Sequence, residues 1–195
     1  MKIGVLALQG AFVEHEQVLK RLGADTGEVR LPQDLQGLDG LIIPGGESTT
    51  MGKLAVEFKL IEPLRDLARS GKPIWGTCAG MIFMAKEVGR DQPLLGLMDV
   101  KVRSNAFGRQ VDSFEADLEV KGIGGTRPFH AVFIRAPLIE SVGAGVNTLA
   151  QVDLNDRPAI VAARQANLLA TSFHPELSGD DRFHQYFLKM AERKA

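Results

Sequence analysis

Short apolar runs alternating with amphipathic stretches mark this chain as an α/β protein. The expected architecture is three-layered: a doubly wound, mostly parallel sheet with some antiparallel strands. Three features carry that assignment. The first half repeats a strand-then-helix rhythm. Its strand runs are apolar at successive residues, as in strands covered on both faces. The second half is richer in strand patterns.

Taken in order, residues 2–8 (KIGVLAL) form a buried strand. Residues 14–22 form an amphipathic helix with Val18, Leu19 and Leu22 on one face. Residues 38–43 are a second strand, stopped by Pro44-Gly45-Gly46. Residues 61–69 form a helix that ends at Ser70-Gly71-Lys72-Pro73, a strong stop signal. Residues 74–77 are a third strand, and 81–87 take a helical pattern. Further strands are expected at 100–103, 114–120, 131–135, 148–152, 159–163 and 168–171, with a loop at Gly122-Ile123-Gly124-Gly125 and a closing helix at 181–193. With no linker, repeat or low-complexity stretch, residues 1–195 are expected to form one domain. Ligands of such sheets bind beyond the carboxyl ends of the strands, so chemistry is sought in loops directly after strands.

Composition narrows the function classes. The chain has 195 residues, 45% hydrophobic and 24% charged, with 23 Lys plus Arg against 24 Asp plus Glu. That balance is globular rather than disordered. A net charge of −1 gives no electrostatic reason to expect nucleic acid or an anionic membrane as partner. The longest charge-free apolar stretch, 73–85, falls short of the roughly 20 residues that cross a bilayer. The apolar run 3–8 is too short for a signal-peptide core. One cysteine, Cys78, excludes an internal disulfide and a cysteine-cluster metal site, and a reducing cytoplasm is the expected location. No metal constellation stands out.

Gly76-Thr77-Cys78-Ala79-Gly80 sits where the third strand meets a helix. Its G-x-C-x-G spacing is the thiol counterpart of the G-x-S-x-G nucleophile elbow. A sharp turn lifts the nucleophile above the sheet edge, and a side chain at either flanking glycine would collide with neighbouring backbone. The following helix presents its free N–H groups to the sulfur, and the Ala79 N–H is placed to stabilise an oxyanion. Most lone cysteines are simply buried small hydrophobes, but position after a strand, with glycines on both sides, favours the nucleophile.

A thiol nucleophile needs an imidazole base held by a third group. Of four histidines, His15 and His184 read as solvated helix positions, and His130 as a loop residue before a strand. His174 follows the strand 168–171 and stands at its carboxyl end. Pro175 disfavours helix at His174, and Glu176 is two residues on, within reach of the imidazole Nδ1. Pro44-Gly45-Gly46-Glu47-Ser48-Thr49-Thr50 directly follows the second strand. Its glycine pair exposes backbone N–H groups as a second oxyanion donor or an anion nest. The same loop reads equally as a strand stop followed by a helix N-cap at Ser48 or Thr49. It lacks the P-loop pattern.

Together, the G-T-C-A-G, H-P-E and P-G-G motifs resemble the triad-type (class I) glutamine amidotransferases, whose sheet is flavodoxin-like. More narrowly, Leu8-Gln9-Gly10, the loop 44–50, the run F-G-R-Q-V-D-S-F-E at 107–115, Phe133-Ile134-Arg135-Ala136-Pro137 and Ser172-Phe173-His174-Pro175-Glu176 resemble the glutaminase subunits of pyridoxal 5′-phosphate synthase. The likeness spans essentially the whole chain. It implies that Cys78 attacks the carboxamide of L-glutamine, that His174 shuttles protons and that Glu176 orients His174. It also implies an oxyanion hole from the Gly46 and Ala79 N–H groups, and glutamine held by Gly46, Glu47, Ser48, Ile134 and Arg135. By the same likeness, ammonia passes to a synthase subunit of (β/α)8-barrel type, in assemblies of up to twelve copies of each, for vitamin B6 synthesis. No cofactor is implied in this subunit.

One departure bears on substrate binding. The family carries a glutamine-binding Arg immediately before an Asn, where this chain has Ser104 before Asn105 and the Arg displaced to Arg103. Either Arg103 reaches the substrate from the neighbouring position or the contact is lost, and because neighbouring strand residues face opposite sides the balance tips toward loss. The rival readings are a small peptidase with the same three groups and a binding module with a degenerate site. Arg135 and Glu47, as anchors for a free amino acid, argue against the first, and the intact Cys78, His174 and Glu176 against the second.

Overall fold

The computed structural model describes residues 1–104, 113–154 and 157–192. Most of the run 107–115 lies outside the described residues. In chain order the elements are β1 (Lys2–Leu6), α1 (Phe12–Arg21), β2 (Asp25–Val29), β3 (Gly40–Ile43), α2 (Ser48–Glu57), α3 (Ile61–Arg69), β4 (Ile74–Thr77), α4 (Ala79–Met84), β5 (Ala85–Val88), β6 (Met98–Arg103), β7 (Ser113–Leu118), β8 (Phe129–Ile134), β9 (Leu138–Val142), β10 (Asn147–Leu154), β11 (Arg157–Gln165), β12 (Leu168–Thr171) and α5 (Arg182–Glu192).

The main sheet runs β2-β1-β3-β4-β12-β11-β9-β6-β5, with β10 beside β11. From β2 to β12 every pairing is parallel; from β12 through β11 and β9 to β6 the pairings are antiparallel. The sheet therefore has a doubly wound parallel half and an antiparallel extension. β7 and β8 form a separate antiparallel pair.

Period-2 alternation sorts the core into two layers. Ile3, Val5, Ile42, Trp75 and Leu169 face α1 and α5, meeting Leu19, Phe183 and Phe187. Leu6, Leu41, Ile43, Ile74 and Ala170 face α2, α3 and α4, meeting Met51, Ala55, Leu64 and Met81. All four residues of β3, β4 and β12 are buried, which accounts for their unbroken apolar runs. Among the described residues no helix is long and apolar enough to cross a membrane.

Local differences from the sequence expectations have physical reasons. The expected helix 81–87 ends at Met84, and Ala85–Val88 becomes an edge strand parallel to β6. β2 is a polar strand at the other edge, paired only with β1, so it lacks the apolar signature of a central strand. Glu47, rather than Ser48 or Thr49, caps α2: its carboxylate accepts from the Thr49 and Thr50 N–H groups at 3.0 and 2.7 Å. A two-carbon longer reach lets one acid serve two of the unpaired amides at the helix start.

Candidate active site

β3, β4 and β12 are adjacent and parallel, so the loops after them open at one end of the sheet. Those loops carry Gly45-Gly46-Glu47, Cys78 and His174. At the β4–α4 turn, Cys78 takes φ 48° and ψ −106°, a left-handed conformation that a non-glycine residue holds only under tertiary constraint. The constraint is visible. Its N–H donates to the Thr171 carbonyl at 2.8 Å, and the flanking glycines leave no room for side chains. A Cβ on Gly76 would lie 2.6 Å from the Gly80 carbonyl group, and one on Gly80 would strike the Ile43 carbonyl oxygen. The strand-to-helix elbow is thus built by backbone approach on both sides of the thiol.

His174 is fixed by its own N–H, which donates to the Val132 carbonyl at 2.8 Å. Its Nδ1 lies 2.7 Å from Glu176 Oε1. Burial opposes a charge on the imidazole, but hydrogen bonds to Cys78 and Glu176 outweigh it and push the pKa up to about 10. The Glu176 side chain is fully buried. Burial disfavours its ionisation, yet His15 and His174 facing it hold its pKa below the usual carboxylate range. Cys78, His174 and Glu176 therefore form one connected thiol–imidazole–carboxylate row.

A cavity of about 370 Å³ opens over the thiol, lined by Gly46, Glu47, Ser48, Cys78, Ala79, Arg90, Ser104, Ile134, Arg135 and His174, among others. Every residue expected to hold substrate or an oxyanion lines this one space. Ala79 is the first residue of α4, so its N–H has no intrahelical acceptor. The Glu47 N–H donates to Gln9 Oε1 at 2.6 Å, tying the glycine loop to the end of β1. The Glu47 carboxylate is engaged by α2: against the pull of partial burial, hydrogen bonds from Thr50 and Thr49 lower its pKa to about 2. The Cys78 thiol faces the Ile134 carbonyl at 3.8 Å. Arg135, the next residue, sits at φ +45°, a second left-handed non-glycine position at the cavity.

Ser104 lines this cavity, whereas Arg103 lines a different one with Leu138 and Arg157 and approaches Glu140 to 3.8 Å. Arg103 thus points away from the thiol, as the alternation of strand faces predicts. No local pattern signals Arg90, a loop residue that enters the cavity wall. Its Nη2 donates to Ser48 Oγ at 2.9 Å and its Nε to Gln92 Oε1 at 2.8 Å.

Two histidines depart from expectation. His15 and His184 are both fully buried, not solvated. His15 Nδ1 lies 3.0 Å from His184 Nε2, and its Nε2 lies 3.3 Å from both Thr77 Oγ1 and Glu176 Oε2. The polar string Glu14-His15-Glu16-Gln17 hid this, because the partners come from β4, α5 and the turn after β12. His130 is exposed on β8, where hydrogen bonds from its ring to the Asp117 and Glu115 carboxylates at 2.9 and 3.0 Å raise its pKa.

A thiol held by an imidazole–carboxylate pair, beside free backbone N–H groups and a guanidinium, suits nucleophilic attack on a carbonyl of a small charged substrate. Comparison with known proteins agrees. A crystal structure described as a glutamine amidotransferase superposes with a TM-score of 0.89 at 52% identity, covering 97% of this chain and 98% of that one. The pyridoxal 5′-phosphate synthase subunit PdxT of Herpetosiphon aurantiacus is 61% identical over 192 residues, 96% of this chain and 99% of that protein. The PdxT subunit of Moorella thermoacetica is 59% identical over 191 residues, 97% of this chain and 99% of that protein. The family model of the SNO glutamine amidotransferases matches residues 5–193, and this chain belongs to that family.

Proposed function

We propose that the chain hydrolyses L-glutamine to L-glutamate and ammonia through a γ-glutamyl thioester on Cys78, and delivers the ammonia to a pyridoxal 5′-phosphate synthase subunit. The observation that carries this reading is the row Cys78–His174–Glu176 opening into a cavity walled by Arg90 and Arg135.

Glu176 holds His174 Nδ1, so Nε2 is left for the sulfur. The Cys78 thiolate attacks the carboxamide carbon, and the carbonyl electron pair moves onto oxygen, where the Gly46 and Ala79 N–H groups receive the charge. His174 gives its Nε2 proton to the amide nitrogen. The tetrahedral adduct collapses, the C–N bond breaks, and ammonia leaves a thioester. Water then surrenders a proton to His174 as its oxygen attacks the thioester carbon. The C–S bond breaks, glutamate forms, and the thiolate–imidazolium pair is restored.

Substrate is held at its other end. A free amino acid presents an α-carboxylate, and Arg90 offers a guanidinium at the cavity wall where Ser104 contributes only a small polar side chain. Gly46, Glu47, Ser48, Ile134 and Arg135 complete the pocket. The relatives' description as synthase subunits supports a synthase partner. The resemblance set out above points to a (β/α)8-barrel partner and assemblies of up to twelve copies of each. A single nucleophilic thiol that must stay reduced suits the cytoplasm.

The test is to measure glutamate release with the synthase subunit present, for wild type and Cys78→Ala. Glutamate release should vanish in the variant while the synthase, supplied with free ammonia, still makes product. Undiminished glutamate release by Cys78→Ala would overturn the proposal.

A further inference from the structure

Behind the catalytic row lies a pair of buried imidazoles that the mechanism above does not use. Glu176 turns only one carboxylate oxygen toward His174. The other, Oε2, is buried with no hydrogen bond from any described residue, and His15 Nε2 lies 3.3 Å from it. His15 in turn meets His184 at 3.0 Å, and His184 Nδ1 is buried with no partner among the described residues. These three groups come from α1, the turn after β12, and α5.

The possible proton arrangements are few. Burial lowers the pKa of both His15 and His184, so both rings are neutral and each carries one N–H. If His15 donates from Nδ1 to His184, then its bare Nε2 lone pair faces a buried carboxylate oxygen, and the buried His184 Nδ1–H has no acceptor. If His184 donates from Nε2 to His15 Nδ1, then His15 Nε2–H donates to Thr77 Oγ1 and turns its positive edge toward Glu176 Oε2 at 3.3 Å, and a lone pair of His184 goes unpaired. The first arrangement repels and wastes a donor; the second sets a polar hydrogen, not a lone pair, beside the carboxylate oxygen.

We infer that His15 is a positioning residue for glutamine hydrolysis: its Nε2–H holds Glu176 Oε2, with His184 fixing the tautomer that makes this possible. Pinning Oε2 keeps Oε1 aimed at His174 Nδ1, and so keeps His174 Nε2 aimed at the thiol. The donor order then runs His184 to His15, His15 to Glu176, and His174 to Glu176 from the opposite side. Trp75 packs edge-on against both outer rings, at 5.8 Å from His15 and 5.0 Å from His184, and so fixes their planes. This inference rests on the glutaminase reading.

The test compares His15→Gln with His15→Asn. Both keep an amide, but Gln carries its N–H₂ to the place of imidazole Nε2 and reaches Glu176, whereas Asn stops at the place of Nδ1. Glutamate release by the full chain with its synthase subunit should stay within about three-fold of wild type for His15→Gln. For His15→Asn, kcat should fall about ten-fold, with KM for glutamine unchanged, as for loss of a group that orients an active-site ligand. The rate of Cys78 alkylation by iodoacetamide, which needs no glutamine, should show the same ordering. Should His15→Asn not fold, His184→Phe against His184→Gln makes the same comparison one step back, with the Phe variant slow and the Gln variant near wild type. Equal kcat and equal alkylation rates within the pair would overturn the inference and leave His15 a packing residue. A wild-type chain that releases no glutamate, yet shows the predicted alkylation ordering, would instead sink the glutaminase reading and keep the positioning role.

Discussion

Replacing Gly45 by alanine should cripple catalysis while leaving every reacting residue in the sequence unchanged. A Cβ at Gly45 would sit 2.5 Å from His174 Cε1, 3.1 Å from its Nδ1 and 3.4 Å from Cys78 Cβ. Ordinary contact starts near 3.4 Å, so the imidazole must recede by about 0.9 Å. It has little freedom to do so, because its backbone N–H is held by Val132 and Pro175 follows directly. The Nδ1–Glu176 bond, now 2.7 Å, would stretch beyond hydrogen-bonding distance. A displacement near 1 Å costs about 100-fold in rate, and forced overpacking costs about 1–3 kcal/mol of stability. The assay is kcat for glutamate release, with thermal melting alongside. Gly89→Ala is the control, since no contact within 4 Å of its Cβ position is found among the described residues, and it should match wild type. A Gly45→Ala variant with wild-type kcat and melting temperature would refute the packing geometry described for the thiol and imidazole.

Other expectations follow from the same site. Arg90→Gln should raise KM for glutamine by about ten-fold or more, the worth of a charged hydrogen bond, while kcat changes less than about two-fold. An analogue without the α-carboxylate should show no such loss, and an equal KM increase for both substrates would remove Arg90 from the carboxylate site. His174 carries a folded-state pKa of about 10 against 6.5 for an ordinary imidazole, so its stabilisation is complete below pH 6.5 and lost as pH climbs toward 10. Wild type should therefore lose more melting temperature than His174→Gln across that window, and parallel curves would contradict the assignment. Glu47→Ala should cost about 1 kcal/mol by uncapping α2, read from denaturant unfolding; no change would mean that the cap contributes nothing.

What could be read from the sequence depended on how local each signal was. β3, β4 and β12 are short and buried on both faces, so their apolar runs stand out and their ends locate Gly46, Cys78 and His174. The elbow glycines were legible for the same reason, since backbone approach on both sides leaves glycine as the residue that fits. β2 was not, because an edge strand of sequence DTGEV needs no apolar alternation. β9 follows β8 after only three residues and was absorbed into the loop between the expected strands. The pairing of His15 with Glu176 and His184 spans separations of about 160 to 170 residues and was invisible to any local pattern. Arg90 enters the cavity just after β5, which lies parallel to β6, a path that the helical pattern of 81–87 concealed.

The most direct measurement is to quench the chain in acid during glutamine turnover, with its synthase subunit present, and identify the modified peptide by mass spectrometry. The account predicts one γ-glutamyl group on the peptide containing Cys78, absent from His174→Ala and from unreacted protein. Rapid glutamate formation with that thiol unmodified at every time point, or with the group on another residue, would contradict it.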